Sequence, residues 1–429
     1  MTITFFGVLW FLLLSFLLLY NDIEAAIVVL LFSMVLQCDN VIVLGEKGIG
    51  PQIITSAFFV LYYFISSYKP VVKKDFKSKR FVISLFLLCL YILVNSILCK
   101  KVTENYRDVV LLYVYLCASI CLYNVRNSLP EKNIWNIVVK LYVFLLVVGM
   151  FQILATMYVI PKWLFTELLY NDTSESVYFH WQEPYFRMMS TFMEPSYYSG
   201  LLCGLIGVII YNKKRLDNAN IYIVCGLLEL ALTFSTTGYL TFICILIVLL
   251  LLDGSHNNIM KYLPIFIAIF LFVVLSWDTI ISNIILNKLE TGSGETRQLW
   301  NLKALDEFLS HTIIGGGYMT VRASSLILTI MANLGIMGLL FYLFVIFSCI
   351  YPLFKGNQES KGLSISVRLV FISVVISQMI ACPDLSLCTF WLSIYLVVLT
   401  DSKVPTMTEY VNKILILLNL RRIKQLYYR

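Results

Sequence analysis

Long apolar runs broken by short polar stretches dominate this chain. Residues 5–20 read FFGVLWFLLLSFLLLY, and runs of similar character recur to the C-terminal part. A bilayer core takes about 20 apolar residues per helix. Strands of a membrane barrel would instead alternate polar and apolar over roughly ten residues, and these runs do not alternate. The pattern predicts spans at 3–20, 24–38, 51–68, 81–99, 107–124, 135–159, 191–211, 219–234, 237–252, 259–276, 324–351, 365–381 and 386–400. The second is short and the boundary from Gly45 to Pro51 is soft, so twelve and thirteen spans are both open. The expected architecture is an all-α integral membrane bundle, one polytopic domain over residues 1–429.

Composition strengthens this reading. Apolar residues make up 60% and charged residues 13%, against roughly 25% charged in soluble domains. Such a chain cannot cover its surface with polar groups, so lipid is the remaining solvent, and in lipid helices or closed barrels alone satisfy the backbone. The first segment lacks the basic start and small-residue site of a cleavable signal.

The net charge of +7 is concentrated in particular loops. It reads as membrane topology, with no nucleic-acid partner. The most basic loop, KPVVKKDFKSKR at 69–80, is expected in the cytoplasm. Alternation then also puts 212–215, 352–368 and the tail with Arg421, Arg422, Lys424 and Arg429 inside. Lys100 and Lys101 fall outside, against the bias. Two long segments, 161–190 and 277–323, become the extracytoplasmic loops. The cysteines sit mostly in apolar runs (Cys89, Cys117, Cys121, Cys203, Cys225, Cys244, Cys349), where packing thiols are expected; a Cys382–Cys388 pair is a minor alternative.

Both outer loops carry signs of short interfacial helices. Trp163, Leu164, Phe165, Tyr178, Phe179, Trp181 and Tyr185 in the first suit the membrane interface. In the second, Ser293 is the expected N-cap, Glu295 sits in the first turn, and apolar residues recur at Leu299, Trp300, Leu302, Leu305, Phe308 and Leu309. This helix is expected to stop before Gly315, Gly316 and Gly317. That glycine run lacks the Gly-Lys-Ser/Thr ending of a phosphate loop, so nucleotide-driven chemistry is not expected.

Two segments carry candidate chemistry. In RMMSTFMEPSYYSG at 187–200, Arg187 and Glu194 flank the outer mouth of a span that Pro195 opens. A capped helix start with a snorkelling arginine explains this equally well. In 296–338, Arg297 starts the surface helix, His311 closes it and Arg322 precedes the next span. Arginine holds a diphosphate bidentately and is always charged. Arg187, Arg297 and Arg322 around one outer cavity would therefore suit a lipid-linked pyrophosphate. Headgroup contacts, ion pairs with Glu295, Asp306 or Glu307, and a C-terminal cap role for His311 are the structural alternatives. Inside the spans, Glu229, Gln152 and Gln378 call for partners, and Lys140 for a snorkelled path to water. His180 and His256 have no evident partner in the sequence. No set of residues stands at metal-ligand spacing, and no cofactor is expected.

Arg187 with Glu194-Pro195-Ser196, then Arg297 and Trp300, then His311 to Gly315 and Gly317, then Gly335-Ile336-Met337-Gly338 resemble the motifs of the O-antigen polymerase and O-antigen ligase superfamily. The span count and the two outer loops are similar as well. The resemblance implies a GT-C-like, metal-independent glycosyltransferase of the bacterial cytoplasmic membrane. It would polymerise lipid-linked oligosaccharide repeat units from an undecaprenyl-pyrophosphate donor at the outer face. A flippase and a chain-length regulator would be its pathway partners. The roles implied are Glu194, Arg187, Arg297 and His311 in catalysis, and Arg322, Trp300 and Tyr318 in substrate binding. Ligases of this superfamily carry a histidine ahead of a Gly-x-x-Gly pair; counting back from Gly335 and Gly338 reaches Ser324. That departure tilts the expectation from ligase to polymerase, with a ligase and, further off, a polysaccharide transporter as alternatives.

Overall fold

The structure, a computed structural model, describes residues 2–44, 47–66, 80–99, 102–157, 159–161, 187–253, 292–354, 362–381 and 384–400. The expected aromatic loop at 162–186, the span at 259–276, His180, His256, Cys382, Lys100, Lys101 and the basic tail lie outside the described residues.

The described chain is helical almost throughout. In order it forms α1 (Phe5–Tyr20), α2 (Ile23–Ser33), α3 (Pro51–Ile65), α4 (Arg80–Leu98), α5 (Val102–Val125), α6 (Glu131–Thr156), α7 (Pro195–Tyr211) and α8 (Ala219–Leu232). It continues with α9 (Thr236–Asp253), α10 (Gly292–Ser310), α11 (Leu326–Phe354), α12 (Leu363–Ile380) and α13 (Cys388–Thr400). Five of these are long and apolar enough to cross a membrane, and seven shorter ones are apolar over 10–17 residues. Large apolar side chains such as Leu61, Phe64, Leu251 and Phe347 are exposed on the outside. Polar ones such as Asn95, Gln152, Glu229 and Arg368 are buried inside. That inversion of the water-soluble pattern, with backbone groups satisfied within helices, makes this a multi-pass helical membrane protein.

Helix ends obey local chemistry. Thr4 caps α1 by accepting from the Gly7 N–H at 2.8 Å, and Asn21 ends it in the left-handed region. Asp22 caps α2 through the N–H groups of Glu24 and Ala25. Pro51 and Pro195 open α3 and α7 at positions where a missing N–H costs nothing.

The helices join two rims. One carries the short basic turn Lys213–Arg215. There Arg215 pairs with Glu131 at 3.1 Å, the Leu363 N–H donates to the same carboxylate, and Asn133 donates to Glu24. The opposite rim gathers 34–50, 187–194, 233–235, 311–325 and 384–387. It is tied by Gln37 N–H to the Thr191 carbonyl (3.1 Å) and by Gln152 Oε1, which accepts from Met189 and Ser190 N–H groups. Between the rims α7 packs on α12 so closely that a Cβ at Gly204 would lie 2.7 Å from the Val370 Cα. Small residues at membrane helix contacts permit such approach, and Ser373 donates to the Gly200 carbonyl at 2.6 Å in the same seam.

Several expectations need correction. The span expected at 24–38 ends at Ser33, and residues 34–50 fold back as a rim segment. Its strands β2 (Ile42–Leu44) and β3 (Lys47–Ile49) form a small antiparallel sheet with β1 (Thr2–Ile3). Long-range bonds such as that from Thr4 Oγ1 to the Asn40 carbonyl hold it, and an apolarity count cannot register them. Helix α10 is described from Gly292, one residue before the expected cap at Ser293. Arg368 is not a loop cation: it is buried within α12 and donates to the Cys349 carbonyl. Among the named cysteines, Cys89, Cys121, Cys203 and Cys349 are buried as packing thiols, whereas Cys117 is exposed on the apolar exterior of α5. Lys140 is exposed on α6, as a snorkelling side chain must be.

The span expected at 324–351 is broken. Gly335, at φ 65° and ψ −167°, divides α11 into two helices. Residues 312–317 fill the break. Gly316 and Gly317 N–H groups donate to the Ala332 and Asn333 carbonyls at 2.9 and 3.0 Å. The N–H groups of Ile336 and Met337 donate to the Thr312 and Ile313 carbonyls at 3.0 and 3.3 Å. These four bonds give partners to backbone groups that a break in a membrane helix would otherwise leave open.

Candidate functional site

The turn that fills the helix break carries residues 318–322 onto the rim opposite the basic one. Asn95 of α4 anchors it: its Oδ1 accepts from the Tyr318 N–H at 3.0 Å and its Nδ2 donates to the Ile314 carbonyl at 2.8 Å. Asn333 holds the next stretch, accepting from Thr320 Oγ1 and the Val321 N–H and donating to the Val321 carbonyl. Arg322 is therefore presented from a braced turn.

A cavity of about 280 Å³ opens beside it. Its wall draws on four distant segments: Gln37 and Gln52 from the N-terminal rim, Met193 and Tyr197 around the start of α7, Arg322, and Asp384 from the α12–α13 turn. Asp384 is itself held in place. Its Oδ1 accepts from the Ser386 N–H and hydroxyl at 2.7 and 2.8 Å, and Gln378 donates to its carbonyl. An arginine and a carboxylate thus face one cavity.

The sequence-derived candidates distribute around this centre. Arg322 lines the cavity, and its guanidinium lies 5.7 Å from the Trp300 ring, a cation–π arrangement. Glu194 occupies the N-cap position of α7 between two cavity-lining residues; its carboxylate accepts from Ser196 Oγ at 3.0 Å and caps no backbone N–H. Arg297 is exposed on α10. Its spacing to Trp300 and Ala304 places all three on one face, and Ala304 is buried against Ala323 and Ala332. Arg297 thus stands one turn from the ring beside Arg322, but it is exposed and is not among the residues that line the cavity.

The others stand apart from the cavity wall. Arg187 donates to the Thr233 and Phe234 carbonyls, both at 3.3 Å, and so caps the C-terminal end of α8. His311 is exposed just beyond α10, with Nδ1 3.0 Å from Glu307 and its carbonyl accepting from the Gly315 N–H. Tyr318 is buried behind Met319, which does line the cavity. Burial, and secondarily the Asp384 carboxylate, pushes its phenol well above the ordinary range, so it stays protonated. Ser324 donates through both N–H and hydroxyl to Asn301 Oδ1 at 2.9 and 2.8 Å, which binds α10 to the turn.

Sequence reading missed Gln37, Gln52 and Asp384. They lie in the segments where span boundaries were softest or loops shortest, and no local motif marks them. Glu229 has the buried partner its position demands: the Tyr198 hydroxyl donates to it. Among the described residues no group of three His, Cys, Asp or Glu side chains clusters as a metal ion would require. Comparison with protein-family models, with curated proteins and with solved structures finds no match to this chain.

Proposed function

We propose that this protein is a membrane glycosyltransferase that polymerises lipid-linked oligosaccharide repeat units, drawing on an undecaprenyl-pyrophosphate donor at the outer face of the bacterial cytoplasmic membrane. The observation that carries the reading is the cavity on the rim away from the basic turns, with Arg322 in its wall and Arg297 one helical turn from the Trp300 ring beneath it. The superfamily resemblance points to the same residues, and positive-inside bias puts that rim outside the cell.

The chemistry follows from the groups present. The anomeric carbon–oxygen bond of the donor breaks, and the lipid pyrophosphate leaves with the electron pair. Guanidinium groups already in place stabilise the charge that gathers on it. The acceptor hydroxyl oxygen forms the new glycosidic bond and releases its proton to a carboxylate, for which Asp384 in the cavity wall and Glu194, next to the lining residue Met193, are the candidates. The donor is already activated, so no nucleotide is needed on that side of the membrane.

In cells that make the polymer, Arg297→Ala and Arg322→Ala should abolish it while protein level and the single-unit lipid-linked glycan persist. Unchanged polymer length and amount in both variants would remove the assignment of the site.

A further inference from the structure

Helix α10 does not lie flat across the rim. Near its middle, Asn301 Oδ1 accepts from the N–H and hydroxyl of Ser324, two residues before α11 begins. Just past its end, the Thr312 and Ile313 carbonyls accept from the Ile336 and Met337 N–H groups. Leu326 and Ile336 are ten residues apart, about 15 Å along a helix at about 1.5 Å per residue. The stretch of α10 from Asn301 to Ser310 covers about 14 Å by the same rise. Helix α10 therefore runs antiparallel beside the first part of α11, with buried Ala304 packed against Ala323 and Ala332. Its C-terminal end reaches the level of the Gly335 break, inside a helix long and apolar enough to cross a membrane. The polar backbone of the turn is admissible there because α11 and Asn95 of α4 satisfy it.

The sides of α10 differ in character. Asn301, Ala304 and Phe308 turn toward the protein, and Lys303, Asp306 and Ser310 form a polar side. A third side, at helical spacing, reads Glu295, Gln298, Leu302, Leu305 and Leu309, and Ile313 continues it into the turn. All six are exposed, Leu309 and Ile313 at 67% each. Along this one side the residues change from polar at the rim to apolar at the break. That is the order required of a helix that enters a bilayer by its C-terminal end. The apolar end also merges with the lipid-facing surface of α11: the Ile313 carbonyl is bonded to Met337, and Ile336, Met337 and Leu340 are exposed beside it. A protein docking from water would meet Glu295 and Gln298 first and would have to enter the membrane to cover the leucines.

We infer that α10 is a re-entrant helix, seated in the leaflet on the cavity side, whose stripe from Leu302 to Ile313 is covered by lipid acyl chains while Glu295 and Gln298 stay at headgroup level. Apolar helix faces seat in this zone of the bilayer. The partner is bilayer hydrocarbon. A helix so seated holds Trp300, the ring beside Arg322, near the membrane surface. This docking is independent of the transfer reaction.

The test uses the full-length protein in phospholipid nanodiscs, with its native cysteines kept. A small fluorescent amino acid is placed through a reassigned stop codon at Gln298, Lys303, Leu305 or Leu309, one position at a time. Quenching by phospholipids brominated near the head of the acyl chain is compared with quenching by iodide in the water. Brominated lipid should quench several-fold more strongly at Leu309 than at Gln298, with Leu305 between them. Iodide should show the reverse order and should reach Lys303. Equal quenching by brominated lipid at Gln298 and Leu309 would mean a helix lying flat. Strong iodide quenching at Leu309 would mean a stripe open to water, and protection of Leu309 from both quenchers would mean a protein cover. Each of these overturns the inference. The unlabelled protein gives a second reading that no label can disturb. Hydroxyl radicals made in the water should oxidise Leu305 and Leu309 no more than Leu340 and Leu343, which are exposed on α11. Oxidation several-fold above that level would overturn the inference as well.

Discussion

Gly335 is the position where one added methyl group should do the most damage. Its backbone, at φ 65° and ψ −167°, lies in a region open essentially to glycine, and another residue held there costs about 1–3 kcal/mol. A Cβ at this site would also collide with the Ile313 carbonyl and stand 2.8 Å from the Gly315 nitrogen, both main-chain atoms. Relief requires the 312–317 turn to move, which strains the four hydrogen bonds that satisfy the broken helix. At about 0.5–1.5 kcal/mol each, loss of two adds roughly 1–3 kcal/mol. Gly335→Ala should therefore destabilise the protein by about 2–6 kcal/mol, a large part of the usual total. Unfolding in mild detergent, followed by tryptophan fluorescence against temperature, measures it. Ile336→Ala, at a 43% exposed neighbour, is the control and should cost less than about 1 kcal/mol. Because the same turn carries Tyr318 and Arg322, activity should fall with stability. A Gly335→Ala protein as stable as its control would refute the argument that the helix break is built on glycine.

Other expectations follow from single contacts. Tyr198→Phe removes the donor to buried Glu229 and should cost about 1–3 kcal/mol in the same unfolding assay; an unchanged midpoint would mean that the pair contributes nothing. Arg187→Ala removes two charged hydrogen bonds to the end of α8 and should lower stability by roughly 3–6 kcal/mol together with any loss of polymer; lost polymer at full stability would assign Arg187 to chemistry instead. Trp300→Leu removes the ring beside the exposed Arg322, worth about 0.5–1 kcal/mol, and should weaken polymer formation less than Arg322→Ala does. Alkaline phosphatase fused after Lys214 should be inactive in a bacterial host and active when fused after Asp306; the opposite result would invert the topology.

The membrane helices were legible in the sequence because the bilayer demands continuous apolarity, and the turns between them because charge interrupts it. Arg322 was legible as a candidate because a cation facing outward runs against the charge bias, and Trp300 through the superfamily resemblance alone. What stayed hidden depends on contacts distant in sequence. Gln37 and Gln52 sit where an apolar run ends early, and it is Thr191, more than a hundred residues on, that fixes the Gln37 backbone. Gly335 was visible as a glycine in an apolar run, yet the break it permits needs the 312–317 turn to dock there. Arg187 looked like a site residue from its place at a span mouth, whereas its partners are carbonyls of a turn 46 and 47 residues away. Asp384 had no signal beyond being a short-loop carboxylate.

The most direct measurement supplies the purified protein, in nanodiscs, with undecaprenyl-pyrophosphate-linked repeat unit as the sole sugar source and follows the products by gel and mass spectrometry. Glycans lengthening in steps of one repeat unit, with one undecaprenyl pyrophosphate released per step and none of this in Arg322→Ala, is the outcome expected. A substrate left intact by the folded wild-type protein, or lengthening that proceeds equally in the variant, would contradict the account.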